Sequence, residues 1–200
     1  MPNSFLKQFL ICNLQETENL TMARTESNML PLGTKAPNFN LLDTVSGKKL
    51  KLSDVYGEKA TVVMFICNHC PYVKAVIKYI VEDTNALKEI GINSVAIMSN
   101  DTVNYPEDSF ENMIKFAKEN HFNFPYLIDE TQSVAKVYDA VCTPDFFGYN
   151  KDLELQYRGR IRELKDLKPV RSSESDLLNA MKMIARTGKG PKDQIPSMGC

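Results

Sequence analysis

The feature that most constrains this chain is a change of hydrophobic period at residue 66. Thr61-Val62-Val63-Met64-Phe65-Ile66 is an almost unbroken apolar, β-favouring run, as expected of a strand buried on both faces. Immediately after it the period becomes helical. Val73, Val76, Ile77, Ile80, Val81 and Leu87 fall on one stripe, with Lys74, Lys78, Glu82 and Lys88 opposite. Strand-like Ile92–Met98 follows, so the segment reads as a β-α-β unit, for which a parallel sheet and a right-handed crossover are the defaults. The junction between strand and helix is Cys67-Asn68-His69-Cys70-Pro71.

The same logic extends in both directions. Phe39–Leu42 and Leu50–Leu52 flank the turn signal Ser46-Gly47, which predicts a hairpin. A polar loop, Ser99–Glu107, leads to a helix with Phe110, Met113, Ile114 and Ala117 on one side. Tyr126–Ile128 reads as a short strand, with a brief helix over about 131–138. Phe146–Tyr149 and Leu153–Tyr157 read as paired strands. The last helix, about 174–186, has Ser173 as its expected N-cap and buries Leu177, Leu178, Met181 and Ile184. Residues 1–29 lack a sustained period and are expected to be a flexible extension, within which Met22 offers an alternative start. The domain proper is expected over 30–187, with a tail over 188–200 whose reach no period determines.

At 200 residues the chain holds one full domain with an appendage. Lys plus Arg number 24 against 25 Asp plus Glu, which leaves no general electrostatic pull toward nucleic acid or an anionic membrane. The one basic cluster, Arg158, Arg160 and Arg162, has period-two spacing and reads as the solvated face of a strand. No stretch approaches the ~18 apolar residues of a membrane-spanning helix, and the opening MPNSFLKQFLICNL lacks a signal-peptide core. A cytoplasmic location is expected. Five cysteines, an odd number, do not describe a disulfide-stapled secreted framework, so their spacing is read for redox or metal chemistry.

Cys67 and Cys70 carry that chemistry. A Cys at a helix N-terminus meets unsatisfied N–H groups and the positive end of the dipole, which favour thiolate over thiol. The second Cys, one turn on, can attack a mixed disulfide formed by the first. Pro71 suits the first helical turn, where its missing N–H costs nothing. An imidazolium at His69 is expected to lower the thiol pKa and make the pair more oxidising. Cys67 is expected to be the accessible, low-pKa nucleophile, Cys70 the buried resolving thiol, and Cys67–Cys70 the sole disulfide under mild oxidation. Cys142-Thr143-Pro144 opens a strand about 75 residues later; Thr143-Pro144 is read either as an edge that presents backbone to a thiol partner or as an ordinary turn. The loop Asp101–Asp108 leaves the end of a parallel strand, where ligands of open α/β sheets gather, and either lines the site or is a plain connection.

Strand, C-x-x-C-P, helix, strand, a Thr-Pro-led hairpin and a final helix resemble the thioredoxin fold. The opening P-x-F and the insertion Phe110–Tyr138 are similar to its redoxin branch, which includes peroxiredoxins and the alkyl-hydroperoxide-reductase/thiol-specific-antioxidant group. CNHCPYVKA, NYPEDS, FPYLIDE, CTPDFF, YRGRI and PSMGC resemble the peroxiredoxin-like or thioredoxin-family proteins of bacteria, and together they span about residues 30–200. The implied architecture is α/β: a thioredoxin-like fold of the redoxin type, with a central mixed sheet flanked by helices and an N-terminal β-hairpin. The resemblance also places Cys142 within or just behind the site, as a third thiol or as core filling.

Departures from the resemblance narrow the function. Ile66 stands where thioredoxin has Trp, and Thr61 where it has a buried acid. The peroxiredoxin pattern P-x-x-x-T-x-x-C places its reactive Cys at Cys70, but Val63 replaces its Pro and Cys67 its Thr. DsbA oxidases share a His at the position of His69. The copper chaperones of the Sco family use C-x-x-x-C-P, one residue longer, and His121 is the only other imidazole here. The leading expectation is a thiol-disulfide oxidoreductase with an antioxidant role, acting on protein or small-molecule thiols and disulfides without cofactor or metal. Thiol peroxidase and Sco-like copper binding are the alternatives.

Overall fold

The computed structural model describes residues 24–170 and 172–200. Short β1 (Thr25–Glu26) precedes the hairpin of β2 (Asn40–Asp43) and β3 (Lys49–Lys51), then α1 (Leu52–Val55) and β4 (Ala60–Phe65). The long α2 (Pro71–Lys88), β5 (Ile92–Met98), a 3-10 turn at Pro106–Asp108 and α3 (Phe110–Glu119) follow. Next come β6 (Tyr126–Ile128), α4 (Ser133–Tyr138), β7 (Asp145–Asn150) and β8 (Leu155–Arg158). The pair β9 (Leu164–Lys165) and β10 (Lys168–Pro169), α5 (Asp176–Thr187) and β11 (Met198–Gly199) complete the chain. Seven strands form one mixed sheet in the order β3-β2-β6-β5-β4-β7-β8. The β4–β5 and β5–β6 pairs are parallel, and β7 runs antiparallel to β4.

The unbroken run at 60–66 is explained by its place in the middle of this sheet, where all six residues of β4 are buried. Val62 and Met64 pack with Val73, Val76 and Ile80 of α2 and Met181 and Ile184 of α5. Val63 and Phe65 face the other layer, with Leu52 and Val55 of α1 and Val134 and Tyr138 of α4. In the predicted hairpin, Gly47 takes φ +71°, a left-handed conformation that glycine adopts without Cβ strain. α3 buries Met113 and Ala117 as expected, but Ile114 is exposed.

Three expectations are corrected. Ser175, not Ser173, caps α5: its Oγ accepts from the Leu178 N–H at 3.0 Å. Arg158 is fully buried instead of solvated, because Asp145 on neighbouring β7 offers both carboxylate oxygens, at 3.2 Å from Nε and 2.9 Å from Nη2. Arg160 instead pairs with Asp176 and Arg162 covers the Tyr79 ring, both beyond the end of β8. Finally, the segments expected as extension and tail meet each other. β1 pairs antiparallel with β11, and Ser27 N–H donates to the Ser197 carbonyl at 2.9 Å. Backbone pairing holds them, so no apolar period announced it. Met22 and Cys12 lie outside the described residues, as does the expected flexibility of residues 1–23. No helix among the described residues is long and apolar enough to cross a membrane.

Candidate active site

β4 delivers the chain to the C-terminal end of the parallel strands, Ile66 N–H still bonds to the Ile97 carbonyl, and the Cys67–Cys70 turn passes directly into α2. Cys70 is the N-cap residue, with Pro71 at the first helical position. The turn is held by Asp108, which is fully buried. Its Oδ1 accepts from the backbone N–H of Asn68 at 2.7 Å and of His69 at 3.3 Å. Its Oδ2 lies 2.7 Å from His69 Nδ1 and accepts from Asn100 Nδ2 at 2.8 Å. The face of the His69 ring stacks on Tyr105, at 5.0 Å between centroids and 7° between planes. The loop 101–108 therefore lines the site. Within this loop Asp108 is the site residue that the sequence does not single out, since nothing in Pro106-Glu107-Asp108 distinguishes the buried acid from its exposed neighbour.

Both thiols of the pair are buried, Cys67 at 1% exposure and Cys70 at 0%, so Cys67 is not the accessible thiol expected from its position. Thr143 lies against both: its Oγ1 is 3.4 Å from Cys67 Sγ, and its carbonyl oxygen 3.1 Å from Cys70 Sγ. The second contact is a hydrogen bond only while Cys70 keeps its proton. The low pKa also falls on the other cysteine. The hydrogen bond from the Cys67 thiol brings Cys70 down to about 5 against the cost of burial, helped by Cys200, Thr143 and the Val73 N–H. Cys67, which gives that hydrogen bond, is pushed far above the ordinary thiol range, with burial and the Asp108 charge adding to the effect. The pair thus shares one proton, with the negative charge at the helix N-terminus.

Thiolate absorbance of the reduced protein is expected to show one cysteine titrating near pH 5. Since this pKa is depressed on folding, its contribution to the stability of the reduced fold is complete above the ordinary thiol value of 9.0 and is lost as pH falls through about 5. Replacing Asp108 with alanine strands the buried Asn68 N–H and the part-buried His69 N–H and is expected to cost about 2 kcal/mol in urea unfolding. An unchanged midpoint would show that the turn holds itself.

The structure brings Thr143-Pro144 to the pair, with the peptide bond between them cis. Cys142 is buried, burial pushes its thiol up, and its Sγ is 3.9 Å from the Pro144 carbonyl. The third sulfur beside the pair is instead Cys200, 2.9 Å from Cys70 Sγ. Cys67, His69, Cys70, Tyr105, Thr143 and Cys200 line an open cleft of about 330 Å³. Cys67, His69 and Asp108 also place potential metal-ligand atoms within 4.8 Å of one another, but both Asp108 oxygens are already used by the turn.

The AhpC/TSA family profile matches residues 32–164. An uncharacterized conserved protein from Geobacillus kaustophilus is 46% identical with a TM-score of 0.86, covering 90% of this chain and 96% of its own. A hypothetical protein from Sinorhizobium meliloti 1021 is 35% identical with a TM-score of 0.81, over 88% and 96% of the two chains. The thioredoxin domain of a thiol-disulfide oxidoreductase from Bacteroides vulgatus shares the fold at 18% identity and a TM-score of 0.55, over 65% and 89%. A search of the curated proteins finds no match.

Proposed function

This chain belongs to the AhpC/TSA family, and we propose that it is a thiol-disulfide oxidoreductase whose Cys67–Cys70 pair exchanges disulfides with protein or small-molecule partners. The observation that carries this reading is the pair itself: two free thiols at the end of β4 sharing one proton over a helix N-terminus. The Bacteroides vulgatus protein of the same fold is described as such an enzyme.

On this reading the roles are the reverse of those expected from position, with the N-cap Cys70 as the thiolate, lowered by the hydrogen bond from Cys67 and by the Val73 N–H. Cys70, as thiolate, attacks one sulfur of the partner disulfide, and the partner's other sulfur leaves and takes up a proton. Cys67 then gives up its proton and attacks Cys70 Sγ, releasing the second partner thiol. The pair loses two electrons and the partner disulfide gains them. His69 tunes the second step. Its Nδ1 lies 2.7 Å from Asp108 Oδ2, so it positions the carboxylate whose charge helps hold the Cys67 proton in place. The Thr143-Pro144 segment is the docking edge, since the Thr143 N–H and C=O can pair with an extended chain. The odd cysteine count agrees with work in a reducing compartment, the cytoplasm.

One observation favours a second reading, thiol peroxidase with an antioxidant role. The low-pKa thiol is Cys70, which falls at the reactive position of the peroxiredoxin pattern. Stopped-flow oxidation of the reduced protein separates the two readings. A small-molecule disulfide is expected to oxidise the pair at least ten times faster than equimolar hydrogen peroxide. The opposite ranking assigns the protein to peroxide chemistry.

A further inference from the structure

Residues 197–200 lie across the docking edge as a partner would. Thr143 N–H donates to the Cys200 carbonyl at 2.8 Å, and Cys200 N–H donates to the Thr143 carbonyl at 3.3 Å, so both backbone groups of Thr143 are paired with this segment. Ser197 anchors it from the side, its Oγ donating to the Pro144 carbonyl at 2.7 Å and its N–H to Ser27 Oγ at 2.9 Å. Gly199 makes the approach possible, because a Cβ there would stand 2.1 Å from the Thr143 carbonyl oxygen. The register that results puts Cys200 Sγ 2.9 Å from Cys70 Sγ, while Cys142, nearer in sequence to Thr143, turns toward the Pro144 carbonyl.

We propose that Cys200 is a third catalytic thiol, an internal exchange partner that the 197–200 strand delivers to Cys70. The step rests on the oxidoreductase reading, which supplies the Cys67–Cys70 disulfide. Cys200 attacks Cys70 Sγ of that disulfide, the Cys70–Cys200 bond forms, and the Cys67–Cys70 bond breaks. Cys67 leaves with the electron pair and takes up the proton that Cys200 gives up, so the rearrangement needs no oxidant beyond the first exchange. Its consequence is that oxidation moves from the pair to the strand occupying the docking edge, leaving Cys67 reduced. The same docking defines a partner that can compete for the site: an extended segment with a residue lacking Cβ just before its cysteine.

The test is non-reducing peptide mapping of the full-length chain after one equivalent of oxidised glutathione and an acid quench. A Cys70–Cys200 cross-link is expected beside Cys67–Cys70, and it becomes the only intramolecular disulfide in Cys67→Ser. Gly199→Val, which keeps all the thiols but blocks the approach to Thr143, is expected to lower the Cys70–Cys200 yield at least tenfold while Cys67–Cys70 still forms. If Cys67–Cys70 forms in the unaltered chain and no Cys200 cross-link forms there or in Cys67→Ser, the internal partner is overturned and the oxidoreductase reading stands. If no disulfide forms in any version, both fall.

Discussion

Replacing Cys70 with serine is expected to abolish disulfide exchange, lowering the rate by on the order of 10³-fold or more, as loss of a covalent nucleophile does elsewhere. Cys67→Ser is expected to behave differently. The first step survives, so the variant should consume one equivalent of a disulfide and trap the partner on Cys70 until another thiol resolves it. The two variants therefore discriminate between the charge-based roles and the roles expected from position alone. Mass spectrometry of each variant after mixing with an excess of a chromogenic disulfide reads the result directly. A mixed disulfide on Cys67 in Cys70→Ser, with no reaction in Cys67→Ser, would restore Cys67 as the attacking thiol. The fold is expected to withstand both changes, because serine is nearly isosteric with cysteine and Thr143 lies beside both positions to accept a hydrogen bond.

The second large effect is on stability. Arg158 and Asp145 are both fully buried, the guanidinium meeting the carboxylate through Nε and Nη2, donating to the Asp139 carbonyl at 3.0 Å and lying 3.9 Å over the Phe147 ring. Removing one partner leaves the other charge buried and uncompensated, so Arg158→Leu is expected to cost about 3–5 kcal/mol in urea unfolding. A double change of Arg158 and Asp145 to leucine is expected to recover part of that loss, because no charge is then stranded. A loss under about 1 kcal/mol in the single variant would mean that the arginine contributes only packing. Burial raises the Asp145 carboxyl to about 6 even beside Arg158. The folded protein therefore holds this proton more tightly than the unfolded chain, whose carboxyl titrates near 3.8. The favourable contribution is present below about pH 4 and is lost as the pH rises through about 6. Asp145 follows Pro144 directly in the chain, so the cost of burying the pair is borne next to the docking edge.

How much of this was legible beforehand follows from the range of each interaction. The β4–α2 junction was legible because period, helix start and cysteine spacing are all local, and a strand buried on both faces leaves an unbroken apolar run. The hairpin, α5 and the pairing of β7 with β8 were readable for the same reason. The burial of Arg158 was not, because its partner Asp145 lies on the neighbouring strand and the period-two spacing of arginines looks the same on a wet face and a buried one. Asp108 escaped notice because its four donors come from three residues, two of them about 40 positions upstream.

By itself, then, the sequence determined the β-α-β core, the sheet-and-helix layering and the two cysteines at the start of α2, since each is written in neighbouring residues and in a period the backbone imposes. Which of those cysteines carries the charge was decided only by tertiary structure. A thiol pKa depends on the groups within a few ångströms. The hydrogen bond from neighbouring Cys67 leads, but Asp108, which raises Cys67, and Cys200, 2.9 Å from Cys70 and 130 residues away in sequence, are brought there only by the fold. The docking of 197–200 was decided in the same way. It rests on backbone hydrogen bonds to Thr143 and on a glycine that leaves room for them, and backbone pairing between distant segments leaves no hydrophobic period behind in the residues that make it.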